Sequence, residues 1–372
     1  MREYLLVALL AASATYLLSG LARQLAMRTG AVAKVRDRDV HVTPVPYFGG
    51  VAMLGGVALA FLMAQQLPFL GRHATVGRDA WVVFIAGVVI CLIGVLDDLL
   101  DLPAAAKFGG QCLAAGIVVV GGVRIYWIPL PDSILALDDS MSIVLTAFFI
   151  LVCTNAVNFV DGLDGLAAGV VAIGASAFFA YAYLLAYEQE LVRATTASLI
   201  TVVICGICIG FLPHNFHRAR MFMGDSGAML LGLLMAASTV SLTGQLDPST
   251  LKTGGGDLLP AILPIILPFA IMFLPLLDLL LAYVRRTIAG NWWYVADKQH
   301  IHHQLLERGH SHRGAVTLMY LWTALVSYGV IGFGLFGSLP MLLVFLGLLM
   351  LAAALTLWPL NRPQREDANS SS

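Results

Sequence analysis

The chain has 372 residues, of which 59% are hydrophobic and only 12% are charged, with a formal net charge of −1. This composition excludes a soluble enzyme, and it shows no basic excess that would indicate a nucleic-acid partner. Repeated uncharged stretches of about 20 residues have the length that a helix needs to cross a membrane, so the sequence predicts an all-α, polytopic helical membrane protein.

Eleven transmembrane helices are expected in chain order. We place them at residues 4–22, 47–67, 80–96, 107–121, 142–156, 165–187, 194–212, 226–243, 259–284, 315–336 and 341–359. The first is interpreted as a retained helix, because it lacks a clear signal-peptide cleavage site. Residues 1–360 are expected to form one membrane domain, and the polar residues 361–372 a disordered cytoplasmic tail.

Most of the 21 Lys and Arg residues fall on one side of this arrangement. Basic loops stay in the cytoplasm, so we expect the N-terminus outside and the C-terminus inside the cell. Three acidic segments lie on the same side, and we call them the first (97–101), second (158–165) and third (223–227) acidic segments. Carboxylates so close to hydrocarbon are costly and usually functional.

The first acidic segment contains Asp97 and Asp98 at the end of the third span, and Asp101 one helical turn later. Crowded carboxylates repel one another unless a cation lies among them, and Lys107 is the nearest basic residue in the sequence. The segment therefore indicates a cation or phosphate site. A hydrated helix cap without a function is the alternative.

In the second acidic segment, Asp161 and Asp164 are three residues apart, and Asn158 precedes Asp161 by the same spacing. These side chains can face one way on a helical turn, and the glycines that follow each Asp allow a ligand close to the backbone. A helix N-cap is the alternative interpretation.

The third acidic segment places Asp225 at the start of a span, shortly after Asn215, Arg218 and Arg220. A carboxylate beside basic residues favours an anionic ligand held next to a bound metal ion. Oxygen ligands without a thiolate point to Mg²⁺, with Mn²⁺ as a second choice, and not to Zn²⁺.

The last large loop on this side is basic and rich in histidine, and it includes Arg286, His300, His302 and His303. A zinc cluster would need a fourth ligand of suitable spacing, so phosphate binding is the favoured interpretation. Asp278 lies within the ninth span, and we expect it to contact Arg285 or to reach toward the cytoplasm.

Four motifs in this order resemble one enzyme family. They are Asp97-Asp98, Asn158-Phe-Val-Asp161-Gly-Leu-Asp164-Gly, Phe222-Met-Gly-Asp225-Ser-Gly and His300-Ile-His-His303. The chain is similar to the polyprenyl-phosphate N-acetylhexosamine-1-phosphate transferases, integral membrane enzymes of the bacterial inner membrane whose active site faces the cytoplasm. The motif His-Ile-His-His resembles the branch that uses UDP-GlcNAc.

The resemblance implies a Mg²⁺-dependent transfer of GlcNAc-1-phosphate from UDP-GlcNAc to a polyprenyl phosphate within the membrane lipid, with release of UMP. It also implies roles for individual residues. The catalytic residues would be Asp97, Asp98, Asp225, His302 and His303. The metal ligands would be Asp225, Asp98 and Asp161. The donor would be held by Asn158, Asp161, Asp164, Asn215, Phe222, Arg286 and His300.

Other readings stay open at this point. The enzyme could instead use UDP-MurNAc-pentapeptide, as in peptidoglycan synthesis, and Asp97 could act as a base or as an orienting group. A transporter of an anionic sugar or nucleotide belongs to a different class, and it would place its charges nearer the bilayer midplane. The length of the prenyl chain, the polymer made downstream and the formation of a homodimer are also open.

Overall fold

The computed structural model describes residues 1–30, 32, 45–129, 134–188, 192–216, 218–243, 267, 269–288, 290, 300–336 and 339–357. Its helices are α1 (Arg2–Thr29), α2 (Gly49–Gln66), α3 (Ala74–Leu100), α4 (Ala104–Val120), α5 (Asp139–Val160), α6 (Leu166–Glu188), α7 (Val192–Asn215), α8 (Gly224–Thr243), α9 (Phe273–Ile288), α10 (Ile301–Glu307), α11 (His312–Phe336) and α12 (Leu339–Leu357). The prediction of an all-α, polytopic membrane protein is confirmed.

Each predicted span overlaps one of these helices. Nine helices of the described part are long and apolar enough to cross a membrane, whereas α4 is shorter and apolar. The ninth predicted span, 259–284, falls partly outside the described residues and is represented there by α9. The predicted tail, 361–372, also lies outside them.

The structure contains a short two-stranded sheet that was not expected from the sequence. Strands β1 (Trp127–Pro129) and β2 (Ile134–Ala136) form an antiparallel pair between α4 and α5, with Trp127 opposite Ala136. Asp138 then caps the start of α5, where its side chain accepts a hydrogen bond from the Met141 backbone N–H over 2.8 Å. Strands this short carry no hydrophobic period that a sequence pattern can reveal.

Helix α8 is the centre of the bundle. Nearly all of its length is buried, and it packs against α2, α3, α5 and α7. Helix α12, in contrast, lies at the periphery, and almost none of it is buried. Small residues let the helices approach closely. Hydroxyl groups inside the bundle donate to carbonyl oxygens of their own helix, as Ser198 does to Ala194 and Thr201 to Ala197 on α7.

The helix ends form two separate sets. At one end of the bundle, the Glu3 carboxylate accepts the backbone N–H groups of Phe69 and Leu70, and Arg78 donates to the Gly121 carbonyl over 2.7 Å. The opposite end carries the acidic segments, together with the C-termini of α3, α5 and α7 and the N-termini of α4, α6 and α8. All three acidic segments therefore lie at the same end of the bundle.

Candidate active site

The Asp225 carboxylate, in the first turn of α8, is the centre of the site. The Lys107 ammonium of α4 donates to Asp225 Oδ2, and it also donates to Asp97 Oδ2 of α3 over 2.9 Å. The Asn158 side-chain amide of α5 donates to Asp225 Oδ1 over 2.9 Å. Four helices thus bring residues of all three acidic segments together around one basic residue.

Asp98 caps the helix that carries Asp225. The backbone N–H of Asp225 donates to Asp98 Oδ1 over 2.9 Å, and that of Ser226 donates to Asp98 Oδ2 over 3.4 Å. A carboxylate stabilises a helix N-terminus both as a hydrogen-bond acceptor and through the helix dipole. Each oxygen keeps a second lone pair, so a metal-binding or catalytic role for Asp98 stays a prediction.

Glycines allow this close packing. A Cβ atom at Gly94 of α3 would collide with the backbone of Ser226, and one at Gly50 of α2 would collide with the backbone of Gly227. Gly224 has a φ of 69°, and a Cβ there would strike the Asp98 carboxylate. The backbones of α2 and α3 therefore hold the first turn of α8 directly, without intervening side chains.

The Asp161 carboxyl group lies just after α5, close to the other acids. Burial, together with the negative charges of Asp225, Asp98 and Asp164, raises the pKa of Asp161 to about 8. Within the part of the chain that the structure describes, Asp161 accepts no hydrogen bond. A carboxyl group in such surroundings is stabilised in its charged form by an added cation, which agrees with its predicted metal-binding role.

Asp164 and Asn215 join two loops. Asp164 Oδ2 accepts the backbone N–H of Ala219 over 3.0 Å. Asn215 Oδ1 accepts the backbone N–H of Gly165, and its side-chain amide donates to the Met221 carbonyl, both over 3.0 Å. Both side chains are buried, so they hold the loop after α5 against the loop before α8. Their predicted contact with a nucleotide stays a prediction.

Phe222 lies where the loop before α8 pairs with the segment before α2. Its backbone N–H donates to the Pro46 carbonyl over 3.0 Å, and its carbonyl accepts the Gly49 N–H over 3.3 Å. The Phe222 ring, which is partly exposed, lies 6.3 Å from the Tyr47 ring. Phe48 lies between Pro46 and Gly49 in the sequence, and its φ is 82°, an unusual value for a residue with a bulky side chain. The two backbone hydrogen bonds to Phe222 maintain this conformation.

The histidine segment approaches the site through Phe159, which follows Asn158 on α5. The His300 ring lies 5.7 Å from the Phe159 ring, and the Arg286 guanidinium lies 5.7 Å from the same ring. His303 in α10 is next to His300, with ring centroids 6.5 Å apart. His302 also belongs to α10, but its side chain lies outside the described part.

Asp278 contacts a histidine, which corrects the role expected for it. Its Oδ2 accepts a hydrogen bond from His300 Nδ1 over 2.8 Å, and its Oδ1 accepts the Ile301 backbone N–H over 2.9 Å. Asp278 is completely buried. Sequence spacing favours Arg285 because both residues lie on α9, whereas the His300 contact depends on how the chain returns after α9.

Sequence reasoning also missed three residues of the site. They are Lys107, Phe159 and Asp278. Lys107, noted only as a neighbour of the first acidic segment, is the cation at the centre of the site. Phe159 and Asp278 both contact His300 of the histidine segment. A lone lysine after three closely spaced acids is a signal that could have identified Lys107. Phe159 and Asp278 have no comparable signal in the sequence.

A second polar layer lies beneath the site. The Asn155 side chain donates to Gln111 Oε1 over 2.9 Å, and Gln111 donates to Asn155 Oδ1 over 3.3 Å and to Met229 Sδ over 3.3 Å. Gln111 is four residues after Lys107 on α4, and Met229 is four residues after Asp225 on α8. The same three helices are thus linked twice, one helical turn apart.

The donor set fits magnesium better than zinc. Among the described residues, no three His, Cys, Asp or Glu side chains form a complete metal-binding group. Mg²⁺ is commonly held by one or two carboxylates together with substrate phosphates and water, so the carboxylate oxygens of this site are ligands of the kind that it prefers. Asp225 and Asp161 are the carboxylates best suited to such a site, with Asp98 beside them.

Comparisons with known proteins show the family of the chain. Residues 80–243 match the family described as "Glycosyl transferase family 4". The chain is 44% identical over 366 residues to the decaprenyl-phosphate N-acetylglucosaminephosphotransferase of Mycobacterium tuberculosis, covering 97% of this chain and 90% of that protein.

Two further relatives are more distant. The probable undecaprenyl-phosphate N-acetylglucosaminyl 1-phosphate transferase of Bacillus subtilis is 32% identical, with 82% of this chain and 78% of that protein covered. The phospho-N-acetylmuramoyl-pentapeptide-transferase of Desulforudis audaxviator is 33% identical, with 56% of this chain and 66% of that protein covered. The family match and the identity over nearly the whole length show that the chain belongs to glycosyl transferase family 4, among the polyprenyl-phosphate N-acetylhexosamine-1-phosphate transferases.

Proposed function

We propose that the protein transfers GlcNAc-1-phosphate from UDP-GlcNAc to a polyprenyl phosphate, giving polyprenyl-diphosphate-GlcNAc and UMP. The observation that carries the proposal is the cluster at one end of the membrane bundle in which Asp97, Asn158 and Asp225, from three of the family's motifs, meet around Lys107. The 44% identical relatives act, by their names, on decaprenyl phosphate, which makes decaprenyl phosphate our first choice of acceptor.

In the proposed reaction, an oxygen of the lipid phosphate attacks the β-phosphorus of UDP-GlcNAc. The bond from the β-phosphorus to the bridging oxygen breaks, and that oxygen leaves with UMP. Phosphoryl transfer of this kind depends mainly on positioning and on neutralising charge. Mg²⁺, when bound at Asp225 and Asp161, would reduce the repulsion between the two anionic substrates.

Lys107 and Arg286 supply positive charge from the chain itself. Lys107 is held between Asp97 and Asp225, so its ammonium has a defined position next to Asp225, which we propose as a metal ligand. Arg286 lies over the Phe159 ring, which the His300 ring also contacts. We propose that these groups contact phosphate oxygens of the donor and of the leaving UMP.

The contacts of Asp97 favour an orienting role over that of a base. Its Oδ1 accepts the Leu102 backbone N–H over 3.0 Å, and its Oδ2 accepts from Lys107. A phosphate monoester has a second pKa of about 6, so much of the lipid phosphate is already a dianion at neutral pH. We propose that Asp97 holds Lys107 in place.

We further propose that the site faces the cytoplasm from the inner membrane of a bacterium. The excess of Lys and Arg in the loops that the sequence assigns to the same side as the acidic segments supports this orientation. UDP-sugars are cytoplasmic metabolites, and the substrate phosphates would then meet at the membrane surface. Cysteine labelling of intact cells tests the orientation, with a cysteine introduced at Glu188 in one variant and at Arg308 in another. We expect labelling at Glu188 and not at Arg308. Labelling at Arg308 alone would contradict the orientation.

The activity is tested with purified protein, UDP-GlcNAc, decaprenyl phosphate and Mg²⁺, by measuring UMP release and the lipid product. A parallel reaction with UDP-MurNAc-pentapeptide tests the alternative donor, and replacing Mg²⁺ with EDTA tests the metal. We expect turnover only with UDP-GlcNAc and only with the metal. Turnover with UDP-MurNAc-pentapeptide alone would contradict the donor, and no UMP from either donor would contradict the transferase activity.

A further inference from the structure

Asp278 is a buried carboxylate that the proposed reaction does not use. It lies on α9 with no exposed surface, in a helix that is otherwise mostly apolar. An ionisable side chain at such a position is costly, so it is retained for a purpose. Its two oxygens accept hydrogen bonds from His300 Nδ1 and from the Ile301 backbone N–H.

The contact with His300 determines the state of the ring. A carboxylate only accepts hydrogen bonds, so the proton of this contact belongs to Nδ1. The second nitrogen, Nε2, then lies on the side of the ring opposite Asp278. A carboxylate at Nδ1 also fixes the ring orientation and stabilises the positively charged form when the ring meets an anion.

His300 in turn lies beside Phe159 of α5. Its ring is tilted by 34° against the Phe159 ring, and Phe159 is the neighbour in sequence of Asn158, which donates to Asp225. Asp278 itself is one contact further from Asp225. Among the described hydrogen bonds, its two oxygens accept only from His300 Nδ1 and from the Ile301 backbone N–H.

We propose that Asp278 is a positioning residue for His300. It keeps the proton on Nδ1 and the ring in one orientation, so that Nε2 meets a phosphate oxygen of the nucleotide-sugar donor. The proposal rests on the proposed function, because it assigns His300 to that donor. It predicts that the effect of Asp278 on turnover passes through the His300 ring.

The variant Asp278→Asn separates this role from simple support of α10. Its side-chain carbonyl can still accept the Ile301 N–H, so the start of α10 is retained. Its NH₂ group then faces Nδ1 and forces the opposite arrangement of protons on the ring. We expect kcat to fall about 10- to 100-fold, the loss usual for a partner that orients a functional histidine. KM for UDP-GlcNAc should change less than about threefold, because the carboxylate itself does not touch the donor.

A double-mutant cycle with His300→Ala gives the decisive measurement. In the His300→Ala background, Asp278→Asn should change kcat by less than about threefold, because the ring that it orients is absent. The matched control is Asp139→Asn, an exposed Asp at the opposite end of the bundle, for which we expect normal turnover. Equal losses in the two backgrounds, normal turnover of Asp278→Asn, or loss of its thermal unfolding transition in detergent would each overturn the proposal.

A second readout does not depend on the donor. In protein with ¹⁵N-labelled histidine, the His300 signals, assigned by their loss in His300→Ala, should show a proton on Nδ1 in the wild type and a changed pattern in Asp278→Asn. Wild-type protein that shows this signal but releases no UMP from UDP-GlcNAc would contradict the proposed function and leave the positioning role supported. A wild-type signal without a proton on Nδ1 would overturn the positioning role alone.

Discussion

The Asp98 carboxylate accepts the backbone N–H of Asp225. The first acidic segment therefore holds in place the first turn of α8, which carries the third acidic segment. The two residues are far apart in the sequence and belong to α3 and α8. This contact defines the position of the Asp225 side chain relative to Lys107 and Asn158. It also means that part of the acidic cluster is structural.

Substitutions at Asp98 separate the cap from the charge. Asp98→Ala removes the acceptor for two backbone N–H groups and should lower the free energy of unfolding by about 1–2 kcal/mol. The activity of this variant should also fall. Asp98→Asn keeps an acceptor and should unfold near the wild-type temperature, while its activity falls at least about 10-fold because a negative charge beside the proposed metal is lost. Thermal unfolding in detergent and UMP release measure the two effects. An Asp98→Ala variant as stable as the wild type would contradict the cap.

Lys107→Met should lower kcat by about 100-fold, because it removes a positive charge near the transferred phosphoryl group and leaves Asp97 and Asp225 without their shared partner. Lys107→Arg should retain part of the activity, since it keeps the charge. Gly109→Ala, on the same helix with open space around the new Cβ, is the control and should have normal turnover. If Lys107→Met has full activity, Lys107 has no part in the reaction.

Gly94→Ala should destabilise the protein by about 1–3 kcal/mol and impair turnover, because the added Cβ would force α3 away from the backbone of Ser226. Gly116→Ala on α4 makes the same chemical change in open space. It should unfold at or slightly above the wild-type temperature, since Ala is the better helix former. Equal unfolding temperatures for the two variants would show that α3 and α8 can separate without cost.

The Gln111–Asn155 pair should behave as one unit. Gln111→Leu alone removes the donor to Asn155 Oδ1, while the Asn155 amide still donates to the Leu151 carbonyl over 2.8 Å, so we expect a loss of about 1 kcal/mol of stability. In the double variant Gln111→Leu/Asn155→Leu both polar groups are gone, and the loss should be smaller than the sum of the single losses by at least about 0.5 kcal/mol. Unfolding of the four proteins in the same detergent measures this coupling. Strictly additive losses would argue against a direct contact.

The sequence anticipated the membrane fold well but the local contacts unevenly. A stretch of about 20 apolar residues has few alternatives to a helix, because lipid offers no partner for backbone N–H and C=O groups. The prediction of eleven spans followed from this constraint alone. The β1–β2 pair was missed because three-residue strands have no recognisable pattern.

The candidate site divides in the same way. The acids at Asp97, Asp161 and Asp225 were identifiable because charge near hydrocarbon is conspicuous. The functions of Asp164 and Asn215 as links between loops were not, since a buried side chain that bonds to a neighbouring backbone has the same residue type as one that binds a ligand. The partner of Asp278 was also unpredictable, because it comes from a segment beyond α9.

The sequence by itself determined that the chain spans a membrane repeatedly and that carboxylates, amides and histidines collect at one end of it. Hydrophobicity, span length and charge are properties of local stretches, so they can be seen without a fold. Only the tertiary structure decided which acid meets which partner, with Lys107 between Asp97 and Asp225, Asp98 on the start of α8, and Asp278 on His300. These contacts depend on the close packing of helices that are distant in sequence, and no local pattern specifies them.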